Sequence, residues 1–168
     1  MICYPRSHVE NDALKRWIEA RLPEYRSGLA TVCVGIEREG KLVAVVAWDG
    51  YREGISVDVS IAADNPRWAT RQTITTLLMY PFGQLNVRRV NSYVYKGNKR
   101  ARKLNEGLGF VLEGKLRDCG RNYEPLLVYG LTKRDFIKRY VEPYVKRSTR
   151  AEVSSIGVQT PARAAACS

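Results

Sequence analysis

The chain has 168 residues, 45% of them apolar, and a formal net charge of +11. That length suits one domain with a single core plus a tail. No apolar run reaches 18 residues, which excludes a spanning helix and leaves no reason to expect a membrane partner.

The opening residues, Met1 to His8, lack a basic region before an apolar stretch and do not read as a secretory signal. Cys3, Cys33, Cys119 and Cys167 form no C-x-x-C pair, and His8 is the only histidine. No bound metal is therefore expected, and free thiols in a reducing cytoplasm are. The charge is uneven. Between Asn65 and Asn105 lie nine basic residues, Arg67, Arg71, Arg88, Arg89, Lys96, Lys99, Arg100, Arg102 and Lys103, and no Asp or Glu. A block of this kind predicts an anionic partner, and the phosphates of a cofactor or of a nucleic acid both qualify.

In chain order, residues 2 to 4 suit a short first strand. Asn11 suits the cap of a helix with Leu14, Trp17, Ile18 and Leu22 at helical spacing, stopped by Pro23. His8, just before it, is read as a surface residue without a role. Val32, Val34 and Ile36 alternate as a strand, and Glu39-Gly40 signals a hairpin. Leu42 to Trp48 is almost continuously apolar, as a central strand buried on both faces requires. Asp49-Gly50 signals a second turn. In the strand Ile55 to Ile61, the odd positions are apolar, while Ser56, Asp58 and Ser60 share the other face.

Asn65 then suits an N-cap and Pro66 the first helical position, with Trp68, Ile74, Leu77 and Leu78 inward and Pro81 as terminator. Val87 to Tyr95 reads as a strand, so strand, helix and strand predict a right-handed parallel crossover. Leu126 to Leu131 is a closing strand. Thr132 and Asp135 then form a capping box before an amphipathic face of Phe136, Ile137, Tyr140 and Val141, broken by Pro143. The expected organisation is an α/β (α+β) domain with a mixed sheet over residues 1–142 and a basic, disordered tail over 143–168.

The stretch from Asn98 to Arg117 carries the most specific pattern. Asn98 caps a helix, Ala101, Leu104 and Leu108 form its apolar stripe, Gly107 and Gly109 end it, and Phe110 restarts as strand. This N-x-x-A-x-x-L-x-E-x-L-G-F spacing, followed by E-G-x-L-R, resembles the GNAT acyl-CoA N-acyltransferase superfamily, most of all its ribosomal-protein N-terminal acetyltransferase branch. The resemblance covers roughly residues 2 to 132. It implies the GNAT fold and direct acetyl transfer from acetyl-CoA, as co-substrate, to a primary amine. The amine could belong to a protein N-terminus or lysine, or to a small polyamine-like or aminoglycoside-like molecule. Glu113 and Arg117 lie near where such an acceptor would enter.

A helix start directly after a strand is an anion site, because free N–H groups and the helix dipole point at the ligand. The resemblance places the pyrophosphate of acetyl-CoA there, on Arg67, Trp68, Ala69, Thr70, Arg71 and Gln72. Thr70 and Gln72 stand where the family has glycines, and Arg67 and Arg71 offer charge in compensation. Asp58 can take a proton from the amine, directly or through water, and the resemblance places a carboxylate base on this strand. Backbone N–H groups of Ser60, Ile61 and Ala62 would polarise the acyl carbonyl. The position where the family often has a Tyr to protonate the leaving thiolate is Asn105, which cannot act as an acid. Tyr95 and Tyr129 are the available substitutes. Asn98 and Arg102 are carried over as cofactor contacts. A second reading is an inactive GNAT scaffold that binds nucleic acid through residues 65–105; a third is acyl transfer to an amine carried on nucleic acid. Monomer and homodimer both remain open.

Overall fold

A computed structural model describes residues 1–120 and 122–145. Strands β1 (Ile2–Cys3), β2 (Val32–Arg38), β3 (Lys41–Arg52), β4 (Ser56–Ala63), β5 (Arg89–Tyr95), β6 (Val111–Leu116) and β7 (Leu126–Thr132) form one sheet in the order β1-β2-β3-β4-β5-β7-β6. Every neighbouring pair is antiparallel except β4 and β5. The helices are α1 (His8–Glu19), α2 (Arg71–Met79), α3 (Lys99–Leu108) and the short α4 (Lys133–Phe136). None among the described residues is long and apolar enough to cross a membrane.

The sheet separates two cores. The larger lies under α2, α3 and the C-terminal helical turns, with Trp48, Val59, Trp68, Ile74, Leu77, Phe82, Leu108, Tyr129 and Phe136 buried together. Phe82 stacks on Phe136 at 4.9 Å between ring centroids. The smaller packs Ile18 of α1 against Cys33, Val45, Ala47 and Ala62. Strand β3 feeds both, and Ala44 to Trp48 is buried on both faces as the apolar run predicts. Burial pushes the Cys33 thiol up to about 12. The described cysteines are free thiols.

Several local expectations are corrected. Helix α1 begins at His8 and is capped by Ser7, whose side chain accepts from the Glu10 amide. Asn11 instead donates from Nδ2 to the Thr31 carbonyl and accepts the Cys33 amide at Oδ1, both at 2.9 Å. Its side chain therefore ties helix to strand. The residues Pro66–Trp68 form a separate 3-10 turn capped by Asn65, and α2 starts afresh at Arg71 with Thr70 as its cap. Pro81 does not end the helical path, which widens into a π turn over Tyr80–Gln84. Pro143 likewise sits inside helical backbone that runs to Val145. The expected tail falls mostly outside the described residues.

The correction with most consequence concerns β3. Asp49-Gly50 does not turn the chain. Gly50, at φ +57°, is absorbed as an irregularity in the ladder, pairing resumes at Arg52 with Ser56, and the turn falls at Gly54, φ +62°. The strand therefore runs on far enough to set Asp49 directly opposite Asp58.

Candidate active site

The site is made by a failure of pairing. Strands β4 and β5 pair over three residues only, Ser56 with Arg89, Val57 with Val90 and Asp58 with Asn91. Beyond Asp58 they diverge, while β4 stays paired to β3 as far as Ala63 with Ala44, and β5 to β7 as far as Tyr95 with Leu126. The β5-facing edge of Val59 to Ala63 is thus left without its neighbouring strand.

A groove follows the divergence. Its inner part, about 520 Å³, is bounded by Val59, Ser60 and Ile61 of β4, Ser92 to Tyr95 of β5, and Asn98, Ala101, Leu104 and Asn105 of α3. An outer part of about 510 Å³ continues past Ala62 and Ala63 to Pro66, Trp68 and Ala69, with Arg100 and Lys103 on the other bank. The α1–β2 connection covers both from Arg21 to Tyr25. It is pinned at each end. Arg21 grips Asp64 through two hydrogen bonds of 2.8 and 2.7 Å, and the Tyr25 hydroxyl donates to Asp49 at 2.5 Å. The first pair holds the Asp64 carboxyl below its ordinary range; burial, then Asp49, push the Tyr25 phenol well above its own. Asp49 also accepts from the Thr31 hydroxyl.

Asp58 stands on the last paired rung, just short of the groove and not among the residues bordering it; it is half-buried and accepts at Oδ1 from Asn91 Nδ2 at 2.8 Å. A Cβ on Gly50 would lie 2.9 Å from Asp58 Oδ2. Gly50 is required twice, by that approach and by its positive φ. Gly50→Ala is expected to cost about 1–2 kcal/mol through the backbone alone and to displace the Asp58 carboxylate; unchanged melting temperature and turnover would refute this.

Of the cofactor contacts expected from sequence, Ser60, Ile61, Ala62, Trp68, Ala69 and Asn98 border the groove. Asn98 also caps α3, accepting from the Ala101 amide at 3.0 Å. Arg67, Thr70, Arg71, Gln72 and Arg102 do not border it. Arg71 donates to the Arg139 carbonyl at 2.5 Å, beside the Tyr140 ring. Arg102 reaches back to the Lys96 carbonyl at 3.4 Å. At the α2 entrance the amides of Arg67, Trp68, Ala69, Thr70 and Thr73 are bonded within the segment, which leaves those of Arg71 and Gln72 at the start of the helix. The cations bordering the outer groove are instead Arg21, paired with Asp64, and Arg100 and Lys103 of α3, of which Arg100 donates to the Ala63 carbonyl at 3.4 Å. Asn105 is 3% exposed and donates from Nδ2 to Ser92 Oγ at 3.0 Å, bridging α3 to β5 on the groove floor. Tyr95 borders the groove, whereas Tyr129 is fully buried with its hydroxyl donating to Glu106.

Sequence reasoning missed the covering wall of Arg21 to Tyr25, Ser92 and Arg100 as groove residues. The wall left no local signal, because its partners Asp49 and Asp64 are 24 and 43 residues away. Arg100 did leave one: it directly precedes a groove-facing apolar residue, Ala101.

A mixed seven-stranded sheet whose single parallel pair splays around a groove is the fold of the GNAT acetyltransferases. No family model matches the chain. It is 26% identical over 143 residues to the SPbeta prophage-derived uncharacterized N-acetyltransferase YokL of Bacillus subtilis, covering 79% of this chain and 75% of that one. Among solved structures, a variant of spermidine N-acetyltransferase from Vibrio cholerae superimposes with a TM-score of 0.61 at 20% identity, over 83% of this chain and 96% of its own. The same enzyme in complex with CoA and spermine gives 0.58 at 18% identity, over 82% and 97%. The two structures share the fold.

Proposed function

We propose that the protein is an acetyl-CoA-dependent N-acetyltransferase whose acceptor is a small molecule with a primary amine. The observation that carries the reading is the parting of β4 from β5 immediately after the Asp58–Asn91 pair. It opens a groove that begins one residue past the Asp58 carboxylate and carries two lysine or arginine side chains at its mouth. The names of the relatives agree with it, and the spermidine enzymes favour a small amine over a protein terminus. The E-G-x-L-R pattern favours the ribosomal-protein branch instead, but Glu113 of that pattern is engaged by Arg89.

In this reading the pantetheine arm lies along the open edge of β4. The phosphates lie against Pro66 to Ala69, with the side-chain charges of Arg100 and Lys103 on the opposite bank. Asp58 takes the proton that the ammonium must lose before its nitrogen can attack. Attack forms the C–N bond, and backbone N–H groups of β4 between Ser60 and Ala62 hold the oxyanion. Collapse breaks the C–S bond and releases the thiolate toward Ser92 and Asn105. The Ser92 hydroxyl, already accepting from Asn105, has its O–H left to hydrogen-bond the sulfur, and the second proton of the attacking nitrogen passes through solvent to the thiolate, which yields the amide and the free thiol of CoA.

Calorimetry with acetyl-CoA tests the reading. The double change Arg100→Ala and Lys103→Ala is expected to weaken binding by roughly ten- to a hundredfold, at about 1.5–3 kcal/mol for bonds to charged groups. Arg71→Ala is expected to leave it unchanged. Undetectable binding at millimolar acetyl-CoA, beside tight and steeply salt-dependent oligonucleotide binding, would replace the enzyme by a nucleic-acid-binding protein.

A further inference from the structure

Asp58 does not stand alone. Its partner Asn91 is itself held, accepting at Oδ1 from Arg89 Nε at 2.7 Å. Arg89 in turn forms an ion pair with Glu113 on the edge strand β6. The pair crosses β7 at Gly130, where a Cβ would run into the Glu113 carboxylate and lie 2.5 Å from Arg89 Nη2. The chain Asp58, Asn91, Arg89, Glu113 therefore spans four adjacent strands, β4, β5, β7 and β6.

Its polarity follows from chemistry. A primary amide can be turned end for end, but an arginine Nε is only a donor, so the amide oxygen of Asn91 must face it. The Asn91 NH2 group is then compelled to face Asp58. One carboxylate oxygen is occupied by that bond, and the other, Oδ2, turns toward Gly50 of β3, whose missing side chain gives it room.

We propose that Asn91 and Arg89 are positioning residues for the base: with Arg89 anchored on Glu113, they orient the Asn91 amide so that Asp58 Oδ1 is held and Oδ2 receives the proton of the acceptor amine. The inference rests on the acetyltransferase reading and deepens it. The charged and titratable groups around Asp58 are Asp49 and Arg52 of β3, Tyr93 and Arg89 of β5, and Glu113 of β6 through Arg89. Asp49 and Glu113 are the groups of like charge; the carboxylate of Asp49 is occupied by Tyr25 and Thr31, and that of Glu113 by Arg89.

Asn91→Asp keeps the size of the side chain and the acceptor for Arg89, but sets an oxygen where the N–H was. Two carboxyl groups in contact share a proton that neither would hold alone. Relative to wild type at each pH, kcat is expected to fall roughly ten- to a hundredfold near neutrality and to recover as the pH is raised and the shared proton leaves. Asn91→Ala removes the donor without adding a carboxyl, so its kcat is expected to fall without that recovery. Acetyl-CoA affinity by calorimetry should stay within about twofold in both. Wild-type kcat in both folded variants, or the same pH-independent loss in both, would overturn the assignment. Calorimetry separates the two ways of failing. If the wild-type protein binds no acetyl-CoA, the acetyltransferase reading falls and takes this one with it. If wild type binds and turns over while the variants match it, only the positioning role is lost.

Discussion

Asp58→Asn is expected to lower kcat by roughly two to four powers of ten, the range for loss of a positioned general base, with little change in acetyl-CoA affinity. The two effects should separate because Asp58 stands just short of the groove and is not among the residues bordering it. The substitution is nearly isosteric, and an amide oxygen can still accept from Asn91. The position is also firmly held, since Asp58 belongs to the short stretch where β4 pairs on both sides, with Asp49 and with Asn91. What the variant lacks is the capacity to take a proton. Rapid-mix measurements of turnover beside calorimetry would check it, and equal turnover near neutral pH would remove Asp58 from the mechanism.

Ala101→Trp is expected to weaken acetyl-CoA binding by on the order of a hundredfold or more, equivalent to about 2.7 kcal/mol. Ala101 borders both parts of the groove from the first turn of α3, facing Ile61 across it. A methyl group there leaves room between helix and strand, and an indole fills it. The fold should tolerate the change, because Ala101 is only partly buried: it packs on the larger core on one side and borders the open groove on the other. Melting temperature within a few degrees of wild type, with binding lost, is the expected pair of results. Undiminished binding would put the cofactor somewhere other than between β4 and α3.

Much of the fold was legible locally. The β3 apolar run, the alternation in β4 and the Asn98 cap with Gly109 at φ +92° each have a cause within a few residues, and each is observed. Boundaries were less legible where two local signals competed. At Asp49-Gly50 a turn signal lost to continued pairing of β3 with β4, because Gly50 could take up the positive φ inside the ladder. At α1 the side chain of Asn11 was claimed by Thr31 and Cys33, which left Ser7 as the cap.

The sequence by itself determined the layered α/β architecture, the parallel crossover and a polar strand face bearing Asp58. These follow from periodicity, caps and turn residues, which act over one or two turns of chain. Only the tertiary structure decided which cations reach the groove. In sequence, Arg67, Arg71, Arg100, Arg102 and Lys103 are one basic block. In space, Arg71 reaches the Arg139 carbonyl and Arg102 that of Lys96, both away from the groove, while Arg100, donating to Ala63 of the groove wall, and Lys103 border it. The same holds for the chain from Asp58 to Glu113 and for the wall tied down by Tyr25 and Arg21. Strand register and helix azimuth place those side chains in contact, and both are settled by packing over the whole sheet rather than by any neighbour in sequence.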